Sequence, residues 1–590
     1  MMPVQLTVDG QKWQGDKGPR LPVVWLLLLT CVALAAACGE ADKEPAKPAQ
    51  EVVFTDITAA SGIQFKHTNG SSGRKYVVET MGSGAAALDY DGDGNMDLYV
   101  VDSGILPGAS PVESTGNLLL RNAGPGGAWA FHDQASAAAV DDQGYGMGVT
   151  VGDFDNDQDP DLLVTNVGVN RLFRNEANSH DNEQSQSIRF TDISSSSDVG
   201  LDSSWSTGAA FSDIDLDGDL DLYVANYLEF SFPPADSALG RPRRHVAPTE
   251  YPGRRDFLYR NDGDGDFVDV TEAAGLSTLE GRQLGVVFVD IDDDGDADLF
   301  QGNDATPNGL FRNNGDGSFV EVGLLAGVAF NGSGQPEGTM GVDAADVDGD
   351  GLQDLVMTNF QWESNTLYQA VGPGTFDDAS RASGIGGPSF DRLAFGINFL
   401  DVDNDGDQDL FVANGHIDED ISRFDPQASY GQANQLLLND GDGRFQDVST
   451  TAGIAFEAAL VSRGSVAFDY DNDGDQDLFI VNSGQRARLL RNDTATQNHW
   501  LELQLRGRDS NTDGFGARVA IYCGQKKWMQ EHRSGVSYLS QDDPRLHFGL
   551  GSCAQADSVA VHWPSGTHQT LAHVKADRAH LVREPVRAEA

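Results

Sequence analysis

One pattern of nine residues governs what this chain can fold into. D-x-D-x-D-G-x-x-D followed by Leu recurs seven times, with first aspartates at Asp89, Asp153, Asp213, Asp290, Asp346, Asp401 and Asp469 and one departure, Gln158 in place of Gly. The intervals are 64, 60, 77, 56, 55 and 68 residues. A glycine stands five residues before every first Asp: Gly84, Gly148, Gly208, Gly285, Gly341, Gly396 and Gly464. Fixed self-similarity at this period marks a repeat architecture, in which each unit buries its apolar face against its neighbours.

Between the loops the chain reads as short β-branched and aromatic runs, such as those opening at Leu98, Leu162, Leu222, Leu410 and Leu478. Each repeat holds a strand before the loop, one after it, a third such as Phe257-Leu-Tyr-Arg-Asn261, and a fourth opening F-x-D or F-x-E at Phe131, Phe190, Phe267, Phe319, Phe376 and Phe445. No long helical period appears. Four-stranded sheets repeated radially make a propeller. The last repeat lacks its fourth strand, and an orphan of that type, Phe54-Thr-Asp-Ile-Thr58, precedes the first. The expectation is an all-β fold: a seven-bladed β-propeller closed by Phe54–Thr58, with a small C-terminal β-domain. Closure leaves no exposed sheet edge.

The loop chemistry points to a hard cation. Asp89, Asp91, Asp93 and Asp97 offer side-chain oxygens at positions 1, 3, 5 and 9, and Asn95 at position 7 offers its main-chain carbonyl. The equivalent sets are Asp153, Asp155, Asp157, Asp159 and Asp161; Asp213, Asp215, Asp217, Asp219 and Asp221; Asp290, Asp292, Asp294, Asp296 and Asp298; Asp346, Asp348, Asp350, Leu352 and Asp354; Asp401, Asp403, Asp405, Asp407 and Asp409; and Asp469, Asp471, Asp473, Asp475 and Asp477. Ca²⁺ takes roughly six to eight oxygens at about 2.3–2.6 Å, whereas Mg²⁺ demands stricter octahedral geometry. The loops hold no His or Cys, which disfavours Zn²⁺ or Cu²⁺. An EF-hand would need Glu at position 12, where this chain has Val100, Val164, Val224, Gln301, Met357, Val412 and Ile480. Up to seven Ca²⁺ are therefore expected, with the Gln158 loop the weakest. The alternative, that Asp-Gly stretches are only turns, does not account for seven copies at one spacing.

The net charge of -52 argues against nucleic acid or an anionic membrane surface as the partner. Lys12, Lys17 and Arg20 precede an apolar run from Leu21 to Ala37, a secretory signal by its layout. The small residues running into Cys38 resemble a bacterial lipobox, which implies cleavage before Cys38 and acylation of its thiol; plain secretion or a retained anchor are the alternatives. The organisation expected is a signal over 1–37, a tether over 38–50, the propeller over 51–495 and the C-terminal domain over 496–590. Cys523 and Cys553 remain for the mature protein, as a disulfide or as two buried thiols.

The repeats resemble the FG-GAP/VCBS repeats of integrin-α-type propellers, with Phe395-Gly396 alone keeping the Phe-Gly pair. Asn498-His-Trp-Leu501, Gly514-Phe-Gly516-Ala-Arg518, Ser534-Gly-Val-Ser-Tyr538-Leu-Ser540-Gln541, Leu546-His-Phe-Gly-Leu-Gly551 and Val561-His-Trp-Pro-Ser-Gly566 resemble the ASPIC/UnbV domain. The pairing is similar to the cartilage acidic protein family and its bacterial relatives. That resemblance implies extracellular calcium binding and a matrix or adhesion role, and, since Gly39 follows Cys38, outer-membrane sorting where two membranes exist.

The function expected is a binding or adhesion module at the cell surface, taking a protein or glycan ligand and meeting the membrane only through its lipid. The 77-residue interval contains an insertion with Arg241, Arg243, Arg244, Arg254 and Arg255, which suit a carboxylate or sulfated glycan, or else fold back onto the acidic surface. A scaffold for another exported protein is a second reading. A third is an enzyme using His499, Glu531, His532, Ser534, Ser540, Asp542 or His547, although neither a G-x-S-x-G elbow nor H-E-x-x-H is present.

Overall fold

The alternation of apolar runs with Asp-Gly loops becomes seven four-stranded antiparallel sheets. A computed structural model describes residues 51–587 apart from 107–115, 178–188, 198, 200–203, 233–244, 264 and 279–280. The first blade comprises Ala85–Leu88, Asp97–Val100, Leu118–Asn122 and Phe131–Asp133. Inner strands of the others are Gly146–Gly152, Ser206–Ser212, Gln283–Val289, Val342–Ala345, Ala394–Leu400 and Ser462–Phe468. Each aspartate loop joins an inner strand to the second strand of its blade.

Burial follows position within the blade. Ser206–Ser212 and Asp221–Asn226 are buried at every residue, whereas outer strand Phe267–Asp269 buries only its phenylalanine. That is why inner strands read as continuous small or apolar runs and outer ones as F-x-D. The core lies between blades: Phe300 and Leu310 of the fourth pack on Leu355 and Tyr368 of the fifth. Each such side chain contributes roughly 1.5–3 kcal/mol on burial.

The ring closes. Inner strands neighbour one another in cyclic order, and the seventh meets the first. Phe54–Asp56 completes the seventh blade by pairing with Arg488–Asn492, Phe54 opposite Asn492. The repeated glycines explain the tight axis. A Cβ on Gly208, Gly285 or Gly341 would lie 2.8, 2.5 or 2.2 Å from a carbonyl oxygen of the next blade. Gly464 N–H donates to Ser83 O at 3.2 Å across the closure. A second staple comes from the asparagine ending most third strands. The Nδ2 of Asn122, Asn175, Asn261, Asn313, Asn439 and Asn492 donates to Tyr470 O, Tyr90 O, Phe154 O, Ile214 O, Val347 O and Val402 O of the preceding blade. The fifth blade has Ala370 there, and Gly374 N–H takes over by donating to Ile291 O at 2.8 Å.

The C-terminal module has two sheets. In one, His499–Arg506 lies between Leu546–Gly551, antiparallel, and Arg578–Arg583, parallel. The other orders Lys526–Glu531, Arg518–Cys523, Gln555–His562 and His568–Lys575. Leu501, Leu503, Val519, Ile521, Phe548 and Trp563 form their shared core. Cys523 and Cys553 are disulfide-bonded, closing a 30-residue separation that constrains the unfolded chain by about 3–4 kcal/mol. Among the described residues no helix is long and apolar enough to cross a membrane.

Candidate metal centres and the module that covers them

Each loop is shaped by its own backbone. In the first, Asp93 N–H donates to Asp89 Oδ1 at 3.1 Å and Gly94 N–H to Asp89 Oδ2 at 2.9 Å. Asp97 accepts from Tyr90 N–H at 3.3 Å and from Asn122 N–H at 2.6 Å. The third loop repeats this with Asp217 and Gly218 donating to Asp213, and Ile214 and Asn261 to Asp221. These bonds fix the carboxylates at positions 1 and 9 before any ion binds.

Position 3 differs. Asp91, Asp155, Asp215, Asp292 and Asp471 each hold a buried Oδ1 with no hydrogen-bond partner, as does Asp346 at position 1 of the fifth loop. An orphaned buried oxygen costs roughly 1–3 kcal/mol, more when charged. Aspartates of five loops converge: Asp89, Asp91 and Asp97, Asp153, Asp155 and Asp161, Asp213, Asp215 and Asp221, Asp290, Asp292 and Asp294, and Asp346, Asp348 and Asp354 bring carboxylate oxygens within 4.8 Å of one another. This oxygen-only donor set with open lone pairs fits a hard divalent cation. Burial, with neighbouring carboxylates adding to it, pushes Asp97 and Asp298 up to about 9 and Asp153 to about 8, and raises Asp221 and Asp477 well above the usual carboxylate range.

Two supporting residues went unmarked in the sequence. The arginine of the third strand grips outer carboxylates: Arg121 Nη2 lies 2.7 Å from Asp93 and its Nε bonds Asp91, and Arg174 lies 3.7 Å from Asp155. In the fifth blade Gln369 does this for Asp348 at 2.6 Å. Such outer partners orient ligands. The asparagine at position 4 reaches the next loop: Asn156 Nδ2 donates to Asp219, Asn404 to Asp475 and Asn472 to Asn95. These position-7 side chains therefore serve the neighbouring blade. Gln158 sits at φ 79°, a left-handed conformation costly for a residue with a Cβ.

The C-terminal module sits on this loop face. Asp153 N–H donates to Asp513 Oδ2 at 2.7 Å, Asp290 N–H to Glu531 at 3.1 Å, and Thr512 N–H to Asn156 Oδ1 at 3.0 Å. Arg518 reaches Asp290 and Asp293, Arg545 donates to Asn472 at 2.7 Å and to Asp469 O at 3.0 Å, and His547 Nε2 lies 2.7 Å from Asn404 Oδ1. Trp500 and Trp528 lie against Gly474 and Gly406, where a Cβ would come within 1.8 and 1.9 Å of the indoles. The hydrogen bonds of the first loop instead run to Arg121, Asn122 and Asn472, all in the propeller.

From the module, Ser534–Asp542 enters the channel. Ser537 exchanges backbone bonds with Val342 at 2.8 and 3.0 Å and receives Ile397 N–H on Oγ at 3.0 Å. Leu539 O accepts from Val149 N–H at 3.2 Å, Gln541 pairs with Ala85 and Ala87, and Asp542 Oδ1 accepts from Ala467 N–H at 2.8 Å. The segment thereby plugs the axis.

Of the residues considered for catalysis, Glu531, His532, Asp542 and His547 line one cavity, and His499, Ser534 and Ser540 do not. His499 Nδ1 lies 2.9 Å from Asp577, His547 faces Asn404, Ser534 bonds Thr150 and Gln541, and Ser540 bonds its own Tyr538 carbonyl. Arg254 Nε donates to Ser204 Oγ at 3.2 Å and Arg255 lies 3.1 Å from Asp269, so both face their own chain. Arg241, Arg243, Arg244 and Cys38 lie outside the described residues.

Comparison with known proteins agrees with this organisation. The FG-GAP-like repeat model matches residues 89–164, 153–224, 246–301, 290–357 and 346–412, and the ASPIC and UnbV model matches 507–589. Cartilage acidic protein 1 of Homo sapiens is 30% identical over 306 residues, spanning 50% of this chain and 43% of the relative. The Mus musculus protein is 27% identical over 445 residues, 73% of this chain and 63% of its own. The chain thus spans less than two thirds of the length of these relatives. An Agrocybe aegerita lectin specific for non-reducing terminal N-acetylglucosamine is 15% identical, with a TM-score of 0.36 over 64% of this chain and 88% of its own. With repeat matches over more than half its length and the second module at its end, the chain belongs to the FG-GAP-like repeat family that carries an ASPIC and UnbV domain.

Proposed function

We propose that this protein is an exported binding module whose aspartate loops each hold Ca²⁺, and whose ligand-binding surface is the propeller face opposite those loops. The observation that carries the calcium reading is the buried, partnerless carboxylate oxygen at position 3 in five loops. No hydrogen-bond donor satisfies it, and a hard cation would. Bound Ca²⁺ would neutralise the carboxylates at positions 1, 3, 5 and 9 and tie inner strand to second strand in each blade.

The face assignment follows from the cap. The module occupies the loop face and Ser534–Asp542 fills the axis, leaving the opposite mouth for partners. Binding is favoured over catalysis because neither serine lines the cavity that Glu531, His532, Asp542 and His547 share: Ser534 bonds Gln541 and Ser540 bonds Tyr538 O. Export is supported by the Cys523–Cys553 disulfide, which belongs in an oxidising compartment, together with the basic-then-apolar leader ending at Cys38. A protein or glycan at the cell surface is the partner proposed, with the lipid on Cys38 as the link to the membrane.

Native mass spectrometry of the purified chain, beside thermal melts with and without chelator, tests this. Six or seven Ca²⁺ per chain with a large drop in Tm on chelation is the expected result. Two or fewer ions with an unchanged melt would leave the loops as turns and the reading without its support.

A further inference from the structure

The mouth opposite the aspartate loops holds a cavity of about 530 Å³. Its floor is Met81, Leu284, Met340 and Phe395, all buried at the starts of inner strands and packed with Tyr538 and Leu539 of the plug. The plug closes the far end, so the space is a cup rather than a pore. Its size falls in the range of roughly 300–1,000 Å³ typical of small-molecule sites.

The rim is aromatic and acidic. Trp362 and Phe424 are 43% and 48% exposed there, beside Phe360. Trp362 has φ 71°, a strained conformation for a bulky residue, and such strain persists only where surrounding structure enforces it. Asp304, Glu363, Asp418 and Asp425 supply carboxylates, and among the described residues no lysine or arginine lines the cup. Two have partners: Lys75, which does not line the cup, pairs with Asp418 at 3.4 Å, and Asp304 takes a hydrogen bond from Tyr227 of the cup wall. Glu363 accepts the Gly338 N–H at 2.7 Å and stands next to Trp362. His245 to Pro248, from the insertion singled out for its arginines, form one wall.

We infer that this cup binds a small organic cation, an ammonium or quaternary ammonium on an apolar body, recognised by Trp362, Phe360 and Phe424 together with the Glu363 carboxylate. The inference rests on the reading of the chain as a binding module and names the ligand class of its open face. Aromatic faces attract a desolvated cation through their quadrupoles, and a nearby carboxylate adds Coulombic preference. The apolar floor accepts the ligand body. An anion would meet four carboxylates, the reverse of what the insertion's arginines suggest by themselves.

The test is calorimetric titration of the full chain in millimolar Ca²⁺ with benzyltrimethylammonium, benzyl alcohol and phenylacetate. Expected is binding of the cation at least about tenfold tighter than the alcohol, with phenylacetate weaker still. Glu363→Gln and Trp362→Ala should each weaken the cation about tenfold while leaving the calcium-dependent melt as in the parent. Equal binding of cation and alcohol, preference for the anion, or unchanged affinity in both variants overturns the cation site. No heat from any probe, with the calcium-dependent melt intact, also overturns it and leaves the calcium reading standing. Loss of that calcium dependence in the parent would strike the proposed function instead.

Discussion

Gln541 and Val151 bond each other twice: Val151 N–H donates to Gln541 Oε1 at 2.8 Å, and Gln541 Nε2 donates to Val151 O at 3.1 Å. A side-chain amide from the C-terminal module thus replaces a strand partner inside the propeller channel. The same Oε1 receives Thr150 Oγ1 at 2.8 Å and Ser534 Oγ at 3.0 Å. Gln541→Leu keeps the volume but orphans these buried groups. We expect a loss of about 2–4 kcal/mol, read as a lower denaturation midpoint, with faster protease release of the module from the propeller. An unchanged midpoint would mean the channel admits water at that point.

The axial glycines predict a second loss. Gly341→Ala places a Cβ 2.2 Å from Phe395 O, a backbone atom that cannot swing aside. Spreading two inner strands disturbs the packing of the fifth blade on the sixth, and a cost above about 3 kcal/mol is expected. Gly372→Ala, whose Cβ would meet nothing within 4 Å, is the control. Equal melts for the two variants would contradict the account of the axis.

Gln158→Gly should act in the opposite direction. Relieving a Cβ at φ 79° is worth about 1 kcal/mol, and the second loop should gain calcium affinity with it. Titration of the chelated variant checks this, since its weakest site should tighten relative to the parent. If that site stays weak, the cause lies in the Asp513 carboxylate that accepts from Asp153 N–H.

What could be read in advance divides along chain distance. The seven loops, the F-x-D strands and the orphan strand at Phe54 are local signals repeated at one spacing, so repetition reveals them. The reason for Gly84 or Gly464 is not local, because the clashing atoms belong to another blade or to Leu539. Ser534–Asp542 looks like a polar loop, and nothing in its own residues says that a channel of free backbone groups awaits it. The rim cavity draws on Val77 as well as Trp362 and His416, side chains outside the repeated pattern that come from both ends of the propeller sequence. Arginines were legible as charge, but pairing of Arg255 with Asp269 is a property of the folded surface.

Removal of calcium should make stability fall as pH rises. In the metal-free chain burial holds Asp97 and Asp298 at about 9 and Asp354 at about 7, against an ordinary value of 3.8. A folded-state pKa above the unfolded one means the folded chain binds the extra protons between those values. Its stability is then fully present below about pH 4 and is lost progressively toward pH 9, with a slope of about 1.4 kcal/mol per pH unit for each proton held. Calcium requires the deprotonated carboxylates, so its stabilisation grows over the same interval. Melts at pH 5, 6, 7 and 8 in chelator should therefore show a descending Tm, while those in excess Ca²⁺ stay level or rise, and the gap between the two series should widen steadily. A gap that is constant across that range would show that these aspartates are already ionised at pH 5 in the metal-free fold, and no gap at any pH would show that they do not hold the ion.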